Sequence, residues 1–111
     1  MKVALYFKNF RLGELTMFNG NYVYNSNLNG EEQAKKYPSM FFYNLYNSRN
    51  IVSHTLFPVF QELVDKIKKR KDILDKIGMF DYTHAFNILC GYGKLSQIDF
   101  GFNIKTEDTE N

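Results

Sequence analysis

Two histidines, His54 and His84, one cysteine, Cys90, and the triplet Asp99-Phe100-Gly101 are the residues of this 111-residue chain whose types invite a chemical reading. The histidines carry no second ligand at metal-binding spacing, so a satisfied or exposed imidazole accounts for each better than a metal site. A lone cysteine forms neither an internal disulfide nor a thiolate cage, and Cys90 is expected to pack as a small apolar residue. Asp99-Phe100-Gly101 matches the metal-binding triplet of protein kinases. That chemistry also needs a strand lysine, a helix glutamate and a catalytic-loop Asp and Asn spread over a much longer chain. Alone, the triplet reads as a final strand with a glycine kink. No glycine-rich loop leads into a helix through Lys-Ser/Thr, and no paired carboxylates are spaced for acid–base work. The expectation is a chain with no catalytic centre, no cofactor and no metal.

The charge pattern says more. The formal net charge is only +2, yet Lys66-Ile67-Lys68-Lys69-Arg70-Lys71 is basic and the last six residues, Thr106 to Asn111, are acidic. A basic run is most simply the solvated face of a helix, here with Ile67 turned inward. As a binding feature it fits an acidic protein partner or a phosphate backbone, and the latter also requires exposed rings beside the cations. Aromatics make up 17% of the chain, as eleven Phe, eight Tyr and no Trp, more rings than a small core readily uses. Tyr43, Tyr46 and Tyr82 are the candidates for such a surface.

These residues must be positioned by a single small domain, expected over residues 1–105 and followed by the acidic tail 106–111. Lys2–Phe7, Arg11–Phe18 and Asn21–Asn25 alternate as strands, with Asn9 as a turn residue and Asn19-Gly20 as a strong hairpin signal. A helical turn over Glu31–Lys36 and a fourth, ring-rich strand over Met40–Tyr46 follow, and then a loop over Asn47–Asn50. Leu56, Phe57, Phe60, Leu63, Val64 and Ile67 recur at helical spacing, with Thr55 as N-cap and Pro58 in the first turn. Ile73, Leu74 and Ile77 continue the pattern to Gly78, as part of the same helix or as a second one. Asp81 or Thr83 caps a further helix carrying Ala85, Phe86 and Leu89, which ends at Gly91 or Gly93. Ile98–Lys105 reads as the last strand. The fold class is α+β: a small antiparallel sheet, a meander partly closed like a barrel, with two to three helices on one side. Neither a signal peptide nor a membrane span is apparent, so the expected setting is a bacterial cytoplasm.

The order of these pieces resembles the N-terminal domain of HipA-type kinases. Asn9-Phe10-Arg11-Leu12-Gly13-Glu14-Leu15 matches that family's N-x-x-x-G-x-L hairpin. Asn21-Tyr22-Val23-Tyr24 matches its aromatic strand, and Pro38-Ser39-Met40 its Pro-Leu-Ser stretch. Phe57-Pro58-Val59-Phe60-Gln61-Glu62-Leu63-Val64 fits the F-x-x-F-x-x-L-L helix. Phe86-Asn87-Ile88-Leu89-Cys90-Gly91-Tyr92-Gly93 stands for F-D-L-L-x-x-I-G, and Gln97–Ile104 for the closing D-x-x-G-A-V-x-L strand.

Because a kinase body would follow such a domain, the resemblance implies the small, HipS-like subunit of a split system. Such a subunit is an antitoxin that binds a short HipT-like or HipA-like serine/threonine kinase and keeps it inactive, while a HipB-like protein brings DNA binding to the complex. Where the family carries a Pro-Glu-Gly loop, often with a Trp, this chain has Asp65-Lys66-Ile67-Lys68. The implied contact therefore runs along Gln61, Asp65, Lys66, Lys68, Lys69 and Arg70, with the cations meeting acidic groups around the kinase nucleotide site. The alternative is a nucleic-acid or regulatory module using the basic run 66–71 and surface tyrosines, although the near-neutral net charge speaks against direct nucleic-acid binding.

Overall fold

A computed structural model describes residues 1–7, 10–27, 29, 50–95 and 102–107. Four strands come first: β1 Lys2–Phe7, β2 Phe10–Phe18, β3 Asn21–Ser26 and β4 Asn50–Ser53. Three helices follow, α1 Pro58–Lys68, α2 Lys71–Ile77 and α3 Ala85–Tyr92, and then β5 Phe102–Glu107. The strands form one antiparallel sheet in the order β4-β3-β2-β1-β5. The class is α+β. The sheet is not closed into a barrel, and among the described residues β4 and β5 are its two ends.

Local chemistry sets the first hairpin. Asn19 and Gly20 have φ of 51° and 79°, the left-handed pair that a two-residue turn needs, and Phe18 pairs directly with Asn21. Register then follows from alternation. Val3, Leu15, Tyr24 and Ile104 are buried on one face, and Lys2, Glu14 and Lys105 lie on the other. Between β1 and β2 the register shifts at Leu5/Tyr6, and Leu12 is the extra residue of the bulge, buried in the core. The inner sheet face, Phe57, Val59, Phe60, Leu63, Val64 and Ile67 of α1, Ile73 and Leu74 of α2, and Phe86, Ile88 and Leu89 of α3 make one hydrophobic core. The helices therefore cover a single face of the sheet.

Several sequence expectations shift. β4 starts at Asn50, expected as the last residue of a loop, and runs to Ser53, where no strand was expected; four residues with two apolar positions are too short to show alternation, and pairing with β3 creates the strand. The N-cap of α1 is Phe57, not Thr55. Pro58 at the first helical position forces the preceding residue extended (φ −67°, ψ 147°), while Thr55 bonds back to Ser53. His84, not Asp81 or Thr83, caps α3: its Nδ1 accepts the Phe86 N–H at 3.2 Å. β5 extends to Glu107, so Thr106 and Glu107, read as the start of a tail, belong to the sheet. The helical turn over 31–36, the strand over 40–46, the Asn9 turn and the Asp99-Phe100-Gly101 kink lie outside the described residues.

Candidate partner-binding site

The outward face of α1 carries Gln61, Asp65 and Lys66, all exposed, with Lys68 half-buried at its end. Gln61 Nε2 donates to Asp65 Oδ1 at 2.9 Å, one turn along the helix. Ile67 is fully buried, in the last turn of α1. The helix stops at Lys69. Arg70, in an extended conformation, is the N-cap of α2, and its carbonyl accepts from Ile73 and Leu74. The basic run thus spans two helices and the corner between them.

Not every cation of that run is equally available. The Arg70 guanidinium forks onto Asp72, with Nε–Oδ1 at 3.0 Å and Nη2–Oδ2 at 2.8 Å. That bond holds the Asp72 carboxyl below its ordinary range and raises Arg70 above its own. Lys71 stands 89% exposed, 3.9 Å from Asp75, a loose surface pair. Lys69 and Lys76 are exposed.

The C-terminal end of α2 shapes the neighbouring surface. Gly78, with φ 69°, lets the Met79 N–H reach the Leu74 carbonyl and its own N–H reach that of Asp75. This pair of bonds is a Schellman ending, in which the residues at Leu74 and Met79 meet. The chain then turns over Phe80–Thr83, closed by the Phe80 N–H onto Thr83 Oγ1 at 3.0 Å and the Thr83 N–H onto the Phe80 carbonyl at 3.1 Å. Phe80 and Tyr82 leave this turn as a stacked pair, centroids 5.1 Å apart and planes within 1°. They are 61% and 79% exposed. Leu74, Met79 and Phe80 floor a cleft of about 270 Å³, and Lys68, Lys71, Asp75 and Asp81 rim it.

The structure therefore brings Lys68 of the expected contact set beside Tyr82's partner ring and leaves Gln61 and Asp65 tied to each other on the outer face of α1. Sequence reading missed Phe80 and the Leu74/Met79 floor. The available signal was two rings two apart in the short link after Gly78, outside any helical period that would bury them. Tyr43 and Tyr46 lie outside the described residues.

The other candidates for chemistry fall differently. Cys90 is a buried residue of α3, and burial pushes its thiol up, away from thiolate character. It lines a separate hollow of about 480 Å³ between α2 and α3, with Ile77, Met79 and Leu95 among its apolar walls. His84 is used as a cap and lies against Tyr22, centroids 6.2 Å apart. Among the described residues no three His, Cys, Asp or Glu side chains gather as a metal-binding group. Among the same residues no helix is long and apolar enough to cross a membrane. Compared with protein-family models, characterised proteins and solved structures, the chain matches none.

Proposed function

We propose that this chain is a cytoplasmic protein-binding subunit that binds a HipA-type or HipT-type serine/threonine kinase and holds it inactive, acting by contact and without a catalytic centre of its own. The observation that supports a binding role is the exposed corner between α1 and α2, where Lys69 is exposed and Lys68 and Lys71 line a cleft shared with Phe80, one of two exposed stacked rings. Cations of this kind steer encounter with an acidic partner, while rings and aliphatics supply most of the affinity. The identity of the partner rests on the order of landmarks along the sequence, from Asn9-Phe10-Arg11-Leu12-Gly13-Glu14-Leu15 to the closing strand. A HipB-like DNA-binding protein would join through the kinase rather than through this chain.

The nucleic-acid alternative fits the surface less well. Between Asp65 and Asp81 six cations face four carboxylates, Arg70 is already forked onto Asp72, and two carboxylates rim the cleft. A phosphate backbone would have to run past them. The test is co-expression with a tagged HipT-like kinase. A stable complex and loss of autophosphorylation in the presence of this chain are expected; a kinase that purifies alone and stays active rules the reading out.

A further inference from the structure

We propose that the hollow between α2 and α3 is a binding site for a small amphipathic carboxylate, a free acid with an apolar body. Its ligand is a small molecule where the kinase reading has a protein, so neither depends on the other.

Size and wall chemistry come first. The hollow measures about 480 Å³, within the range of small-molecule pockets. Ile77, Met79 and Leu95 give it apolar walls, and Cys90, buried with its thiol kept protonated, adds another. Gly91 shapes the wall by having no side chain. A Cβ there would stand 3.0 Å from Met79 Cε and 3.2 Å from Ile77 Cβ, so α3 closes directly on the end of α2.

Charge then selects the ligand. Lys76 and Lys94 line the hollow and are exposed, and no Asp or Glu stands among its described lining residues. The cleft beside Phe80 differs, since Asp75 and Asp81 share its lining with Lys68 and Lys71. Burial raises the Cys90 thiol and the charge of Lys94 acts on it in the opposite sense, so the positive field reaches the inner wall. Lys76 and Lys94 belong to the C-terminal ends of two helices, where bare carbonyls would favour a cation instead. Hydrogen bonds occupy those carbonyls. Leu74 and Asp75 accept from Met79 and Gly78, while Leu89, Gly91 and Tyr92 accept from Gly93, Lys94 and Leu95. Thr106 takes the Cys90 and Gly93 carbonyls. The two lysines are separate point charges with no arginine among the described lining residues. That suits a singly charged carboxylate better than a phosphate dianion.

The probe is decanoate below its micellar range, with decanol and decyltrimethylammonium as controls of equal chain length. Calorimetry gives affinity, and amide chemical shifts of the isotopically labelled protein give location. Binding of decanoate is expected, with shifts at Ile77, Met79, Cys90, Gly91 and Leu95. Decanol should bind at least about tenfold more weakly, and the cation should not bind. Removing both lysines (Lys76→Gln with Lys94→Gln) should weaken decanoate by a similar factor and leave decanol unchanged. Asn87 also lines the hollow from an exposed position on α3. Asn87→Glu adds a carboxylate to the lining and should weaken decanoate, whereas Asn87→Gln should not. Because the three positions are exposed, these variants should keep the wild-type circular dichroism and thermal midpoint.

Decanoate that does not bind, shifts confined to another face, or equal affinity for decanoate and decanol overturns the proposal. Decanoate affinity unmoved by loss of both lysines overturns it too. Tighter binding of decyl phosphate at the same residues would reassign the head group to phosphate. Tighter binding of a peptide ending in a free Leu carboxylate would reassign the hollow to the end of a partner chain.

Discussion

Arg11 is the residue on which the outer face of the sheet turns. Its Nη1 and Nη2 reach the Glu107 carboxylate at 2.6 and 3.0 Å, Nη2 also reaches Glu14 at 3.2 Å, and Nη1 donates to the Tyr6 hydroxyl. Lys2 closes the group from β1, 3.3 Å from Glu14. Strands β2, β1 and β5 are thereby joined by side chains as well as by their ladder. The hydrogen bond from Arg11 holds the Glu107 carboxyl below the usual range. A folded value below the unfolded one, about 4.3 for an ordinary glutamate, means that this stabilisation is fully present above that pH and is lost as pH falls through the folded value. Glu107→Gln should cost about 1 kcal/mol at pH 7 and should lose less stability between pH 7 and pH 3 than the wild type does, measured by urea midpoints. Equal acid losses in the two proteins would show that the pair contributes nothing. Thr106, one residue earlier, faces inward. Its N–H binds the Gly93 carbonyl at 3.1 Å and its hydroxyl donates to the Cys90 carbonyl, tying β5 to the end of α3. Thr106→Val keeps the shape and removes the second bond, and about 1 kcal/mol of stability should go with it. An unchanged urea midpoint would show that the hydroxyl is not needed there.

At the scale of elements, the α1–α2 corner and the ending of α2 decide what the surface presents. α1 stops where Arg70 leaves helical geometry, and α2 starts from the Arg70 carbonyl with Asp72 in its first turn, favourably placed at the positive end of the helix. Gly78 then ends α2 in the left-handed region, which carries Met79 onto Leu74 and aims the chain into the turn that bears Phe80 and Tyr82. Gly78→Ala should cost about 1 kcal/mol and should loosen that ending while leaving the sheet intact. Thermal unfolding reads the first effect, and amide shifts confined to α2 and the following turn read the second. Phe60, fully buried among the α1 core positions and 6.0 Å from the Tyr24 ring, joins helix to sheet. Phe60→Ala should cost about 3–5 kcal/mol, a large part of the stability of a domain this size, visible as loss of the cooperative transition.

At the scale of the molecule, one face of the sheet is spent on the core and the exposed charges of α1 and α2 lie on the outer surface of the helices. Charge there should act on the rate of encounter. Reversing Lys68 and Lys69 together should lower the association rate with an acidic partner by about tenfold at low salt and flatten its salt dependence, with dissociation changed little. Stopped-flow measurement across ionic strength checks this, and an unaltered rate and slope would remove steering from the account. Arg70 is the wrong residue to reverse, because its loss also breaks the fork with Asp72.

The sequence by itself determined the meander, the Asn19-Gly20 hairpin, the helical stripe Phe60, Leu63, Val64, Ile67, and the Gly78 stop, because each is dictated by backbone sterics or by a period read over a few neighbours. It also placed Ile67 inward and the lysines around it outward. Only the tertiary structure decided that Asn50–Ser53 is a strand, since that depends on pairing with Tyr22–Asn25 far back in the chain. The same holds for Glu107, which lies 96 positions from the arginine that fixes it in the sheet. Phe80 and Tyr82 lie open as a stacked pair for a related reason. Their exposure, their mutual stacking and the cleft beside them depend on where α1 and the end of α2 come to rest, and no local pattern encodes that distance.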